Sequence, residues 1–335
     1  MTDYHKKKIL IIGGTGTLGQ RLVKELLSFS PAVIRVFSRD EYKQFEMQQE
    51  YQGYKNIRFL IGDVRDFQRV LRAMEDIDYV FHLAAMKHVP ACEYNPFEAV
   101  QTNVIGTQNV IQAALESGVE KVLFTSTDKA IAPSNTYGAS KLMAERLISA
   151  TQHQKGSKKT IFASVRFGNV MGSRGSVIPL FKKQLLKGEP LTITDPNMLR
   201  YMMTPSQAIS LILKANDMSK GGEVFVLKMP LIKLSDLVQV LTDFYKKVHY
   251  IENVDVKYIG LRPGEKRYEE LITDDEALGA LETDDMYIIL PAYGFKDQNY
   301  LIPTSIIHEK PFPNESDVIS KETLKFWLKR EELLF

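Results

Sequence analysis

The chain has 335 residues, 44% hydrophobic and 25% charged, and its 43 Lys and Arg nearly balance 41 Asp and Glu for a net charge of +2. That is the composition of a globular protein with one large domain or two moderate ones. It has no Lys/Arg block that would track a phosphate backbone, no apolar run long enough to span a bilayer and no secretory segment in residues 1–8, so neither nucleic acid nor membrane is an expected partner.

Strands are predicted at 9–12, 33–37, 57–61, 79–83, 122–124 and 161–165, with helical periodicity at 18–28, 42–49, 67–74, 97–117 and 137–151. Short apolar runs alternating with amphipathic helices predict an α/β fold, a Rossmann-type doubly wound parallel sheet with helices on both faces. From about Gly168 the pattern loosens into prolines, short strands and isolated helices at 206–216 and 234–244. Residues 1–168 are therefore expected to form a nucleotide-binding domain. Residues 169–335 would form a smaller α/β substrate-binding region at the carboxyl ends of the strands, with some later segments rejoining the first sheet. The single cysteine, Cys92, excludes an intramolecular disulfide and fits a reducing, cytoplasmic compartment. The six histidines are scattered, so no metal site is expected.

The run Gly13-Gly14-Thr15-Gly16-Thr17-Leu18-Gly19 follows the first strand and opens the first helix. Glycines at 13, 16 and 19 let the backbone turn sharply and approach a pyrophosphate at a helix N-terminus. The second strand ends in Ser38-Arg39-Asp40, with Lys43 one turn on. An NAD-binding chain usually carries an acid directly after this strand, whereas a hydroxyl and two cations suit a 2′-phosphate. NADP is therefore expected. NAD is the alternative, with Asp40 on the ribose and Arg39 and Lys43 as surface charges. After the third strand, Asp63 beside Val64 either offers its carboxylate to an adenine amino group or simply makes a turn.

Tyr137 and Lys141, four residues apart at a helix start, share one face. A tyrosine ionises near pH 10, and a neighbouring ammonium with a cationic nicotinamide would lower that value, making the phenolate a base for an alcohol proton. The spacing alone is common on ordinary helices. Upstream, Thr125-Ser126-Thr127-Asp128-Lys129 closes a buried strand at the mouth of the expected cleft. There Thr127 can bind a substrate hydroxyl, and Asp128 and Lys129 place an acid and a base on one carbon framework.

With these motifs stand Lys87-His88-Val89-Pro90, Thr102-Asn103, Arg166-Phe167-Gly168-Asn169-Val170, Gly172-Ser173-Arg174-Gly175-Ser176 and Arg262-Pro263-Gly264-Glu265-Lys266. Together they make the chain resemble the extended short-chain dehydrogenases/reductases, and within them the UDP-N-acetylglucosamine 4,6-dehydratases. The resemblance implies Tyr137 and Lys141 for C4 oxidation, Thr127 for orienting the sugar, Lys129 as the C5 base and Asp128 as the acid at C6. It implies Ala84, Ala85 and Lys87 beside the cofactor, with Lys87 also meeting the substrate. Asn169, Val170, Arg174, Val177, Thr192, Thr194, Arg200, Arg262 and Glu265 would hold the UDP-sugar. A homo-oligomer and C5 inversion are also implied, retention being the alternative. The chain departs from the family pattern at Arg267-Tyr268-Glu269, where members often read Leu-His-Glu, and at Tyr201-Met202-Met203-Thr204, which replaces an aromatic-rich segment. Some relatives carry methionine at the position of Tyr137. A C4 epimerase would share the glycine turn and the Tyr-Lys pair but has no use for an Asp-Lys couple, and a non-catalytic NADP-binding sensor would need neither.

Overall fold

The computed structural model describes residues 4–250, 253–292, 305–307 and 315–334. The first half runs β1 (Lys8–Ile12), α1 (Thr17–Leu27), β2 (Val33–Ser38), α2 (Glu41–Glu50), β3 (Ile57–Ile61), α3 (Phe67–Met74), β4 (Tyr79–His82), α4 (Val89–Tyr94) and α5 (Pro96–Ala99). It continues through a π-helical turn at Val100–Ile105 to α6 (Gly106–Ser117), β5 (Lys121–Thr125), a 3-10 turn at Asp128–Ala130, α7 (Thr136–Gln154) and β6 (Ile161–Arg166). The later part comprises β7 (Asn169–Val170), α8 (Val177–Lys187), β8 (Leu191–Ile193), β9 (Leu199–Met203), α9 (Pro205–Met218), β10 (Val224–Leu227), β11 (Leu231–Lys233) and α10 (Leu234–His249). After these come β12 (Val256–Tyr258), α11 (Asp274–Ala277), β13 (Leu281–Glu282), β14 (Met286–Ile289), β15 (Ser305–Ile306) and α12 (Lys321–Arg330).

The main sheet has the order β15-β13-β14-β10-β6-β5-β4-β1-β2-β3. From β3 to β10 all pairings are parallel, and β14, β13 and β15 add antiparallel pairings at the other edge. This is the doubly wound Rossmann-type sheet expected from the alternation of apolar runs. Strand order reverses between β1 and β4, which opens a crevice at their carboxyl ends. Four strands from beyond residue 168 extend this sheet, while β11-β9-β7 and β12-β8 form two small sheets beside it. One apolar cluster packs α3, α6 and α7 on the sheet, a second packs α1 and α9, and a third lies among α8, α10 and α12.

The stretch 97–117, expected as one helix, is broken by the π-helical turn. A 3.6-residue pattern does not show such a wide turn, and it buries two polar residues, Thr102 and Asn103. Asn103 Oδ1 accepts from Met86 N at 2.8 Å, and its amide donates to Met86 O and Ser140 Oγ at 2.9 Å each. The β4 loop and α7 are thereby locked to one side chain.

Arg166, fully buried at the end of β6, joins Glu145 of α7 to Glu276 of α11, with Nη1 to Glu276 Oε2 at 2.8 Å and Nη1 to Leu271 O at 3.1 Å. Removing the cation would strand the buried Glu145 carboxylate and leave Glu276 with only Arg146 and the Thr273 N–H. Arg166→Met should therefore cost about 3–5 kcal/mol in urea denaturation; a loss below about 1 kcal/mol would show that the cluster does not hold α7 to the sheet.

Candidate active site

A cleft of about 960 Å³ opens at the carboxyl ends of the parallel strands, over the β1–β4 crevice. Gly13 adopts φ +84°, and a Cβ there would come within 2.8 Å of Ala84 N, so the turn tolerates only glycine. Gly13, Thr15, Gly16, Thr17 and Leu18 line the cleft where α1 begins, with Ala84, Ala85 and Lys87 across from them and Ser38, Arg39, Asp40, Lys43 and Val64 at the far end. Burial, and then the charge of Arg174, push the Lys87 ammonium below its ordinary value.

At the end of β2 the charges are already matched. Asp40 caps α2 by accepting from Lys43 N at 3.1 Å and forms an ion pair with the Lys43 ammonium. Asp63 Oδ2 meets Arg39 Nη1 at 3.4 Å and Arg65 Nη2 at 2.8 Å, and Arg65 also reaches Glu98 at 2.7 Å. Asp63 is thus held against two arginines and is not part of the cleft wall.

At the other end α7 lies against the turn Asp128–Ala130. Asn135 caps the helix by accepting from Gly138 N at 2.8 Å, and a Cβ on Gly138 would sit 2.1 Å from the Lys129 carbonyl oxygen. This contact sets Tyr137 beside Thr127 and Lys129, all three on the cleft wall with Lys141. Asp128 is fully buried one layer behind. Its Oδ1 accepts from Thr127 Oγ1 at 2.9 Å and from Lys129 Nζ at 3.0 Å. Lys129 Nζ is also 3.8 Å from Glu269 Oε1. Asp128 Oδ2 and Glu269 Oε2 are buried with no hydrogen-bond partner among the described residues.

Burial works against the charge on Lys129, but Asp128 and Glu269 outweigh it and hold the ammonium above its ordinary value. Burial pushes the Tyr137 phenol up to about 12, opposed by Lys129 and by hydrogen bonding with Thr127. Lys129 is thus a cation drawing on Tyr137. Lys141, expected to act on the same phenol, lies on the cleft wall with its Nζ donating to Thr125 O and 3.9 Å over the Phe124 ring. Burial pushes Lys141 down to about 7.

Of the residues expected to hold a UDP-sugar, Lys87, Asn169, Val170 and Arg174 line the cleft. Val177, Thr192, Thr194, Arg200, Arg262 and Glu265 do not. Thr192 is engaged by Gln184, and Arg200 is spent inside the protein, donating to Arg267 O and Lys266 O at 2.7 Å and lying 3.4 Å from Glu265. Arg200 is a brace for the segment 264–269, which Ser134 and Asn135 also grip at Gly264 O. Lys266 Nζ pins the same segment to Ile131 O and Ala132 O. The brace delivers Glu269 to Lys129. Sequence reasoning passed over Glu269, which keeps the Glu that ends the motif while Arg267-Tyr268 depart from it; only the fold brings it to residue 129.

Residues 9–291 match the model of a family described as polysaccharide biosynthesis protein. The chain belongs to this family. It is 41% identical to the UDP-N-acetylglucosamine 4,6-dehydratase (inverting) of Campylobacter jejuni over 99% of this chain and 97% of that one. It is 40% identical to the UDP-glucose 4-epimerase of Rickettsia prowazekii over 98% and 95%. The crystal structure of Pen from Bacillus thuringiensis is 51% identical and superposes with a TM-score of 0.90, covering 98% of this chain and 100% of that one. These relatives agree with the resemblance to nucleotide-sugar enzymes read from the motifs. Among the described residues no helix is long and apolar enough to cross a membrane, and no group of His, Cys, Asp and Glu could hold a metal ion.

If Glu269 supports the charge on Lys129, Glu269→Gln must lower the Lys129 pKa, since one of two facing anions is lost. A ¹⁵Nζ NMR titration of wild type and variant should show that downward shift. Superimposed curves would mean that the 3.8 Å pair is electrostatically idle.

Proposed function

We propose that the protein is a UDP-N-acetylglucosamine 4,6-dehydratase, cytoplasmic and homo-oligomeric. It would use NADP rather than NAD and release a UDP-4-keto-6-deoxy-N-acetylhexosamine with C5 inverted. The observation that carries this reading is the buried Asp128–Lys129–Glu269 cluster directly beside Tyr137, an acid–base assembly that simple alcohol oxidation would not need.

The cleft fits a dinucleotide. Gly13 leaves the space that a Cβ would fill, and the first turn of α1 carries the unpaired N–H groups of a helix N-terminus for a pyrophosphate. Gly13, Thr15, Gly16, Thr17 and Leu18 would hold the diphosphate, Ser38, Arg39 and Lys43 the adenosine end, and Val64, Ala84 and Ala85 the flanks. NADP would supply a hydride acceptor for C4 oxidation and return the hydride at C6, so no outside reductant is required.

Tyr137 takes the O4 proton while Thr127 orients the sugar hydroxyl. The burial that raises the phenol also removes competing water, and Lys129 offsets part of that cost. Once C4 is a ketone, the C5 proton is acidic enough for an amine. The Lys129 ammonium proton passes to Asp128, 3.0 Å away, leaving a neutral amine and a carboxylic acid in one transfer. The amine removes the C5 proton and the C5–H electron pair forms the C5–C6 double bond, while the departing C6 hydroxyl takes a proton from Thr127 Oγ1, which Asp128 replaces across 2.9 Å, and leaves as water; once C6 is reduced, C5 takes back one proton, on the opposite face for inversion. Each of these proton transfers contributes roughly 10² to 10⁴ in rate. Lys87 and Asn169 meet the sugar nucleotide from the opposite wall.

A C4 epimerase is the second reading, favoured by the name of the Rickettsia relative. Mass spectrometry separates the two: incubation with UDP-N-acetylglucosamine and no reductant should give a product lighter by one water, whereas an unchanged mass with an inverted C4 would make the chain an epimerase. Tyr137→Phe should reduce turnover at least about 10²-fold with an unchanged denaturation midpoint. Wild-type turnover in that variant would remove Tyr137 from O4 deprotonation.

A further inference from the structure

We infer that a second, smaller cavity, between the start of α9 and the end of α12, binds a compact zwitterion, an ammonium and a carboxylate on one small molecule such as a free amino acid. The cavity measures about 220 Å³ and shares no lining residue with the large cleft. The inference therefore stands apart from the reading of that cleft. At this size a dinucleotide or a nucleotide sugar is excluded and a small metabolite fits.

Glu331 decides the chemistry. It is 4% exposed and lines the cavity, yet its carboxylate has no hydrogen bond or ion pair among the described residues. The fold uses only its backbone: the N–H donates to Trp327 O at 3.0 Å, and the carbonyl accepts from Arg21 Nη2 at 3.5 Å. A carboxylate withdrawn from water without a partner destabilises the fold, and a bound ammonium removes that cost. Trp327, half-buried, lines the same cavity, and an indole face near a carboxylate is a favourable seat for an ammonium. Arg330 brings the opposite charge. It is exposed, stands on the cavity wall and has no ion-pair partner among the described residues, Glu331 included. A ligand with only a positive charge would leave that guanidinium facing it, whereas a zwitterion answers both charges. Ser206, in the first turn of α9, marks the end for the ligand carboxylate, because a helix N-terminus favours negative charge. The hydroxyls of Ser206 and Ser210 add hydrogen-bonding groups to that wall.

Trp327 is the single tryptophan of the chain, so its fluorescence reports on this cavity directly. The full chain is titrated with glycine, L-alanine and L-serine, and with ethylamine and propionate, which are alanine without its carboxylate and alanine without its ammonium. At least one of the three amino acids should change the emission saturably, with both truncated probes about tenfold weaker or more. Glu331→Gln and Arg330→Gln should each raise the Kd for that amino acid about tenfold or more. Arg330 is exposed, so its variant keeps the test open should Glu331→Gln fail to fold. The proposal is overturned by no saturable response to any of the three amino acids, by either truncated probe binding as tightly as the best of them, or by a wild-type Kd in either folded variant.

Discussion

The chemistry of this protein depends on how closely α7 lies against the turn that follows β5. Gly138 has no Cβ, and one would sit 2.1 Å from the Lys129 carbonyl oxygen, so helix and turn touch backbone to backbone. That contact places Tyr137 next to Thr127 and Lys129 and makes a phenol, an ammonium and a carboxylate one electrostatic unit. Other parts of the fold hold the helix in that position: Asn135 at its first turn, Asn103 through Ser140, and Arg166 through Glu145.

The unit is closed from the second half of the chain. Arg200 and Lys266 spend their charges on backbone carbonyls to fasten the segment 264–269 across the turn, and Glu269 at its end supplies the second anion to Lys129. A half-buried lysine between two carboxylates stays charged at neutral pH, so its use as a base requires the proton to move within the cluster. The 3.0 Å separation from Asp128 gives that proton a short path.

Much of this was legible in the residues. The six strands of the first half and the helices between them announce themselves because a parallel sheet buries both faces and its crossover helices keep a 3.6-residue stripe. Gly13 and the Thr127-Asp128-Lys129 run were visible because they follow strand ends, and Tyr137 because it opens a helix beside them. The π-helical turn at Val100–Ile105 was hidden, since its buried Thr102 and Asn103 break the apolar stripe without a proline or glycine to mark it. The partners of the charges were only partly legible: Asp40 beside Lys43 is local, whereas Asp63 facing Arg39 and Glu265 facing Arg200 are brought in by the fold, because pairing over long sequence separation leaves no local trace. Glu269 and the sheet strands β10 and β13–β15 were obscure for the same reason.

In the proposed reaction one cleft oxidises C4, eliminates water and reduces C6 on the same sugar without releasing it. A crossover experiment tests it directly, using a mixture of UDP-N-acetylglucosamine with deuterium at C4 and substrate with ordinary hydrogen at C4 that carries ¹³C throughout its ring. The account predicts that NMR and mass spectrometry find deuterium at C6 only in the ¹²C product. Deuterium appearing at C6 of the ¹³C product, or no deuterium at C6 in any product, would contradict it.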